Sequence, residues 1–347
     1  MRMMLSRLAM AALFGASVLS GAASAAPGLD VYAMTAGGNS AFGVIPGMPF
    51  SCSTFGPDSI TKMFGATLQV SLPTDGSICG VASERRAVSA VGGAIQTAAP
   101  LAVGWGKSPD IRTFTGEAQA RAGFGNLGVR AGSAYSGTTD SGTVTGSQAG
   151  ARQIDVMKFP GSGNGTYVPT FTIDGSLFNI GRGETEIEVS YSVGAAAPVQ
   201  VFRLMNQRGT VTMYVNGVYQ PSLPGISLTG STATGFTLAG QTTFSLSIPV
   251  LLGVDQELGM SMWAASLPSS SAGLLTPSGG DASFYSSLKL TGIQLFDGAG
   301  TEMKDFTITS GSGTLYGPGG VMPVPEPSTA LMLGAGLLGL LAWRRRA

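Results

Sequence analysis

The 347-residue sequence contains no histidine. Without imidazole no Ser-His-Asp or Cys-His catalytic unit can be assembled, no histidine-ligated zinc site can form, and no unperturbed side chain titrates near neutrality. Charge is scarce too, since Asp, Glu, Lys and Arg together make up 11% of the chain, as 19 acidic and 19 basic residues. Cysteine is limited to Cys52 and Cys79, and no long helical period appears between the two ends. Carboxylate chemistry, lysine chemistry and oxygen-ligated metal are what these absences leave. Glycine, by contrast, reaches 53 residues. A surface of Gly, Ser, Thr and Ala suits an extracellular β protein better than a cytosolic enzyme.

Both ends carry targeting patterns. Arg2 and Arg7 precede the apolar stretch Leu8 to Leu19, and Ala23-Ser24-Ala25 follows as an A-x-A site, so residues 1–25 read as a signal peptide cleaved before Ala26. At the other end an apolar run from Thr329 to Trp343 is closed by Arg344, Arg345 and Arg346. Arginines at the end of a span hold it with that end in the cytoplasm, which puts everything upstream outside. The 15-residue run makes a helix of about 22 Å, short of the ~30 Å hydrocarbon core, so it is a marginal transmembrane helix. Ala330/Gly334 and Ala335/Gly339 stand at the small-xxx-small spacing that lets another helix approach closely.

In front of the run stands Pro325-Glu326-Pro327. This tripeptide, the short apolar helix and the terminal arginine cluster together resemble the PEP-CTERM sorting signal, read in bacteria by the membrane protease/transpeptidase exosortase. The resemblance implies that Pro325, Glu326 and Pro327 are the recognition site, with the helix and arginines holding it at the outer membrane face. It further implies a precursor in the inner membrane with its domain in the periplasm, then a cell-surface or extracellular-matrix protein associated with exopolysaccharide. Leu290 to Gly298, leading to Phe306 to Thr314, also resembles the closing strands of many such proteins. The exported part carries 14 basic and 18 acidic residues, a net charge of −4 that argues against nucleic acid as a partner. An oxidising compartment makes a Cys52–Cys79 disulfide the expected state of the lone cysteine pair, closing a loop for about 3 to 4 kcal/mol.

The expected organisation is a signal peptide (1–25), a secreted β-rich domain (26–318), a linker (319–324) and the sorting signal (325–347) with its helix at 329–343. Alternation predicts strands at Ala66 to Leu72, Glu186 to Val193, Val199 to Met205, Thr210 to Val215, Thr242 to Ile248, Ser287 to Phe296 and Lys304 to Ile308. Asn216-Gly217 marks a tight hairpin returning through Val218 and Tyr219 and stopped by Pro221. The Gly/Ala/Ser/Thr-rich part, 116–153, has weak patterning and reads as flat edge strands and loops. Many short strands between turns imply an all-β fold, an antiparallel β-sandwich or jelly roll.

The sharpest cluster of chemistry is Glu184-Thr185-Glu186-Ile187-Glu188, where alternation puts three carboxylates on one strand face about 7 Å apart. Glycosidases need two carboxyls at about that separation, and the arrangement loosely resembles jelly-roll glucanases. It departs from their motif at Glu186, where Asp is usual, and at Thr185, where an apolar residue is usual. The competing expectation is a solvated, charge-bearing strand face with ordinary pKa values, Ile187 and Val189 turning to the core. Gly123-Phe124-Gly125-Asn126-Leu127-Gly128 fits G-x-G-x-x-G without the helix a dinucleotide site needs, so it reads as a turn. Asp297-Gly298-Ala299-Gly300 reads as a hairpin loop and Asn164-Gly165-Thr166 as a turn. Trp105, Trp263, Tyr285 and Tyr316 are read as core or hairpin packing, with sugar stacking as the alternative. No catalytic, cofactor or metal residue is expected, and the expected role is non-enzymatic. The alternatives are a glycan-active enzyme using Glu184, Glu186 or Glu188, and a membrane-anchored lectin-like module.

Overall fold

The computed structural model describes residues 26–38, 79–88, 94–105, 112–136, 146–181, 183–194, 196–207, 209–268 and 278–322. All regular structure among them is strand, and every pairing is antiparallel. In chain order the strands are β1 (Gly28–Gly38), β2 (Cys79–Val88), β3 (Ile95–Ala98), β4 (Leu101–Trp105), β5 (Arg112–Gly123), β6 (Asn126–Ser136) and β7 (Gly146–Lys158). Then come β8 (Gly163–Ile180), β9 (Gly183–Val193), β10 (Val199–Gln207), β11 (Thr210–Val215), β12 (Val218–Tyr219), β13 (Ile226–Ser231) and β14 (Gly235–Ser245). The last are β15 (Ile248–Leu252), β16 (Asp255–Pro268), β17 (Ser278–Phe296), β18 (Glu302–Met303), β19 (Ile308–Ser310), β20 (Leu315–Gly317) and β21 (Gly320–Val321).

These strands form two sheets. The 11-stranded sheet runs β12-β11-β10-β9-β16-β7-β19-β20-β21, with β1 also on β7 and β2 on β1. The 10-stranded sheet runs β13-β14-β8-β17-β6-β5-β3, with β15, β18 and β4 on β8, β17 and β5. Their inner faces enclose one core, in which Phe202 of β10 stacks on Phe244 of β14 across the gap, ring centres 5.1 Å apart. Phe244 in turn stacks on Phe171 of β8 at 5.7 Å. The result is the expected all-β, sandwich-like body.

Strong alternation is matched by strands at β9, β10, β11 and β17. The Asn216-Gly217 hairpin takes the left-handed backbone at both positions, φ 51° and 73°, as a two-residue turn between right-twisted strands requires. Thr242 to Ile248 divides between β14 and β15. Lys304 to Ile308 is not one strand, because only Ile308 joins β19. Asn164-Gly165-Thr166 lies within β8, paired with β15 through Gly165↔Val250, and is not a turn.

The largest correction concerns 116–153. Its described residues form central strands, not edges: β7 is flanked by β16, β1 and β19, and β6 lies between β17 and β5. Ala118, Ala120, Ala122, Ala131, Ala149 and Ala151 are all fully buried. Small side chains there fill the inner face, which hydropathy contrast alone does not reveal. Gly123 to Gly128 contains the β5–β6 turn, with Gly125 at φ 75°, as expected of a glycine-rich turn.

The C-terminal boundary also shifts. Residues 319–322, assigned to a linker, belong to the fold: β21 pairs with β20, and the Met322 N–H donates to the Leu315 carbonyl at 2.8 Å. Asp155, fully buried on β7, anchors this closing segment. Its Oδ2 accepts from the Ser312 hydroxyl at 2.7 Å and the Tyr316 hydroxyl at 2.9 Å, and its Oδ1 accepts from the Ser312 N–H at 3.1 Å.

Candidate functional site on the outer face of the larger sheet

Antiparallel register lines up side chains from strands distant in sequence. One outer row of the 11-stranded sheet reads Tyr32, Gly150, Trp263, Glu188, Arg203, Tyr214, Tyr219 across β1, β7, β16, β9, β10, β11 and β12. The adjacent row reads Met34, Gln148, Ala265, Glu186, Met205, Thr212. Tyr32, Met34, Trp263 and Ala265 form a second buried apolar cluster, joined by Leu267. Gly150 makes it possible, because a Cβ there would overlap the Tyr32 ring. The three glutamates thus stand beside an aromatic and apolar wall contributed by β1 and β16.

That setting corrects the expectation of three solvated carboxylates. Ile187 and Val189 do turn to the core, fully buried, but Glu186 on the opposite face is only 3% exposed. Burial pushes its pKa up to about 7, opposed by a hydrogen-bonded ion pair with Arg203 Nε and reinforced by the charges of Glu184 and Glu188. Glu188 stays half-buried and accepts from the Gln200 side-chain amide at 2.6 Å and the Ser190 hydroxyl at 2.9 Å. Glu184 accepts from Gln207 at 3.2 Å. Each carboxylate is therefore tied to β10 or to its own strand. Sequence reading missed Arg203, although its parity within Val199 to Met205, outward between Phe202 and Leu204, is the signal that would have found it.

Next to this row the face sinks. Ser190 and Ser192 of β9 lie opposite Ser261 and Gly259 of β16, four small outward residues in a two-by-two block. Larger side chains surround them: Trp263 and Glu188 at one end, Arg152 and Ile154 on the β7 side, and Pro198 on the other. With a strand spacing of about 4.8 Å and a two-residue step of about 6.8 Å between these positions, the block forms a small, shallow depression. Hydroxyls line its floor, and Arg152, which faces Asp30 at 3.6 Å, and Glu188 put one charge of each sign on its rim.

The other singled-out residues are dispersed. Tyr316 is fully buried on Asp155, and Tyr285 lies under the Arg121 guanidinium at 5.2 Å on the other sheet. Trp105 ends β4. Asp297 organises a hairpin loop, its Oδ1 accepting from the Ala299 and Thr301 N–H groups at 2.9 and 2.8 Å. Cys79 begins β2, Cys52 lies outside the described residues, and the structure contains no disulfide among the described residues. Ala23, Ala25, Pro325, Glu326, Pro327, Arg344, Arg345 and Arg346 also lie outside them, as does the 329–343 run. No helix among the described residues is long and apolar enough to cross a membrane.

Comparison with known families finds the PEP-CTERM protein-sorting motif at residues 323–346. The match begins at the residue after Met322, where the described fold ends. It covers the address and leaves the sandwich unassigned. No curated protein matches the chain.

Proposed function

From the premise that the chain carries a PEP-CTERM motif, we propose that it is an exported protein of the bacterial surface or extracellular matrix, processed by an exosortase-like membrane enzyme and associated with exopolysaccharide without hydrolysing it. The observation that carries this reading is the motif at 323–346, set directly behind a folded β-sandwich. Its test is mass spectrometry of the mature C-terminus from native cells. The protein should end near Pro327, and Glu326→Ala should accumulate precursor in the membrane; recovery of Arg344 to Arg346 on most mature protein sinks the reading.

Two observations support association over hydrolysis. The carboxyl with the pKa a general acid needs, Glu186, is 3% exposed and paired with Arg203, out of reach of a glycosidic oxygen. The shallow hollow at Ser190, Ser192, Gly259 and Ser261 is lined by hydroxyls and rimmed by Arg152 and Glu188, polar groups of the kind that hydrogen-bond a sugar without cleaving it. Ser261→Trp fills it and should abolish exopolysaccharide binding while the fold stays intact. The enzyme reading draws on the pKa of Glu186. Release of reducing sugar that vanishes in both Glu184→Gln and Glu188→Gln would establish it in place of ours.

A further inference from the structure

The polar surface of the hollow continues past its rim. Ser190 pairs with Gln200 of β10, whose side-chain amide donates to Glu188 at 2.6 Å, and Glu188 stands opposite Arg203. From Arg203 the outer row runs on through Tyr214 of β11 to Tyr219, the last residue of β12. Strands lie about 4.8 Å apart, so the row crosses about 14 Å between Glu188 on β9 and Tyr219 on β12.

Its far end differs in chemistry from its near end. The two tyrosine rings meet edge to face, centres 5.9 Å apart with 69° between their planes, and Tyr219 is 54% exposed. The ring that offers its edge has neither of its faces covered by the other. Charge is absent here: from Gly209 to Val254, the stretch that builds β11 to β15, the sequence has no Asp, Glu, Lys or Arg. At the near end Glu184, Glu186 and Glu188 outnumber Arg203, and Arg152 is matched by Asp30. An acidic polysaccharide would therefore meet surplus carboxylate at one end and nothing cationic at the other. Phenol rings, carboxamides and hydroxyls suit a neutral sugar chain, whose C–H faces lie on aromatic rings while its hydroxyls bond polar side chains. The dimensions agree, because an extended pyranose chain advances by close to one strand spacing per ring.

We propose that this row is a second contact for the glycan: a neutral chain lies across the strands, one sugar resting on the hollow and the next ones passing over β10 to stack at Tyr214 and Tyr219. The proposal rests on the association with exopolysaccharide stated above and adds to it a charge class, a direction and a length.

The experiment uses the mature protein purified from native cells. Its probes are fragments of one to six sugars from partial acid hydrolysis of the same cells' exopolysaccharide, separated by charge and by size, with dissociation constants from calorimetry. Affinity for neutral fragments should rise with length and level off once a chain reaches from the hollow to β12. Tyr214→Ala with Tyr219→Ala should weaken the longest fragments about tenfold and leave the shortest unchanged, whereas Tyr214→Phe with Tyr219→Phe keeps both rings and should bind as the unmodified protein does. Where the alanine pair lowers the denaturant midpoint, Tyr219→Leu alone, at an exposed position, takes its place and should weaken the same long fragments. Equal affinity for long and short fragments, or full binding of long fragments by the alanine pair and by Tyr219→Leu, confines the sugar to the hollow and overturns the proposal. Binding of acidic fragments alone overturns the neutral class. An unmodified protein that binds no fragment of any length removes the association reading itself, and this proposal with it.

Discussion

Replacing Glu186 by glutamine should flatten the dependence of folding stability on pH between pH 5 and pH 8. In the folded protein the Glu186 carboxyl titrates at about 7, raised chiefly by burial, while in the unfolded chain it titrates near its ordinary value of about 4.3. Between those values the native state binds the extra proton. Stability from this group is therefore complete below about pH 4.3, falls as pH rises through 7, and is gone above it. A shift of this size changes stability by about 2 to 3 kcal/mol between pH 5 and pH 8. The assay is denaturant unfolding of the purified protein and its Glu186→Gln variant at pH 5, 6, 7 and 8. At pH 5, where Glu186 is protonated, the two should be similar. At pH 8 the variant should be more stable by about 2 to 3 kcal/mol, because the amide keeps the shape and still accepts from Arg203 without placing a carboxylate charge in the buried site. Asp281, also raised by burial against the pull of Arg130, adds a slope of the same sign to both proteins and cancels in the comparison. Parallel pH profiles for the two proteins would refute the claim that Glu186 is buried and titrates near neutrality.

Asp155→Ala should cost about 3 kcal/mol or more, since it strands the buried Ser312 and Tyr316 donors, and hydrogen exchange should show residues 308–322 losing protection first. Gly150→Ala forces the Tyr32 ring off β7 and should cost about 1 to 3 kcal/mol in denaturant unfolding; an unchanged midpoint would show that the Tyr32–Trp263 cluster does not pack as described. Tryptophan fluorescence of the exported domain should respond to neutral hexose polymers and lose that response in Ser261→Trp, whereas equal responses would remove the hollow as the sugar site.

Local chemistry was enough to read the sorting motif, the β class and the patterned strands. Pro325-Glu326-Pro327 before an apolar run and three arginines is contiguous in sequence and needs no tertiary neighbour to be recognised. The same holds for Asn216-Gly217, whose left-handed backbone is a property of two residues, and for β9, where Ile187 and Val189 alternate with glutamates. Tertiary structure decided the rest. The alanine- and glycine-rich strands β5, β6 and β7 are central because their small inner side chains let the sheets close over them, a matter of which strands face each other and not of hydropathy contrast. Glu186 reads in sequence as one of three equivalent surface acids. It is singled out because pairing sets Ala265 on one side and Met205 on the other, while Arg203 reaches it diagonally from β10. The hollow likewise exists only where Ser190 and Ser192 meet Gly259 and Ser261, residues about 70 positions apart that strand register brings side by side.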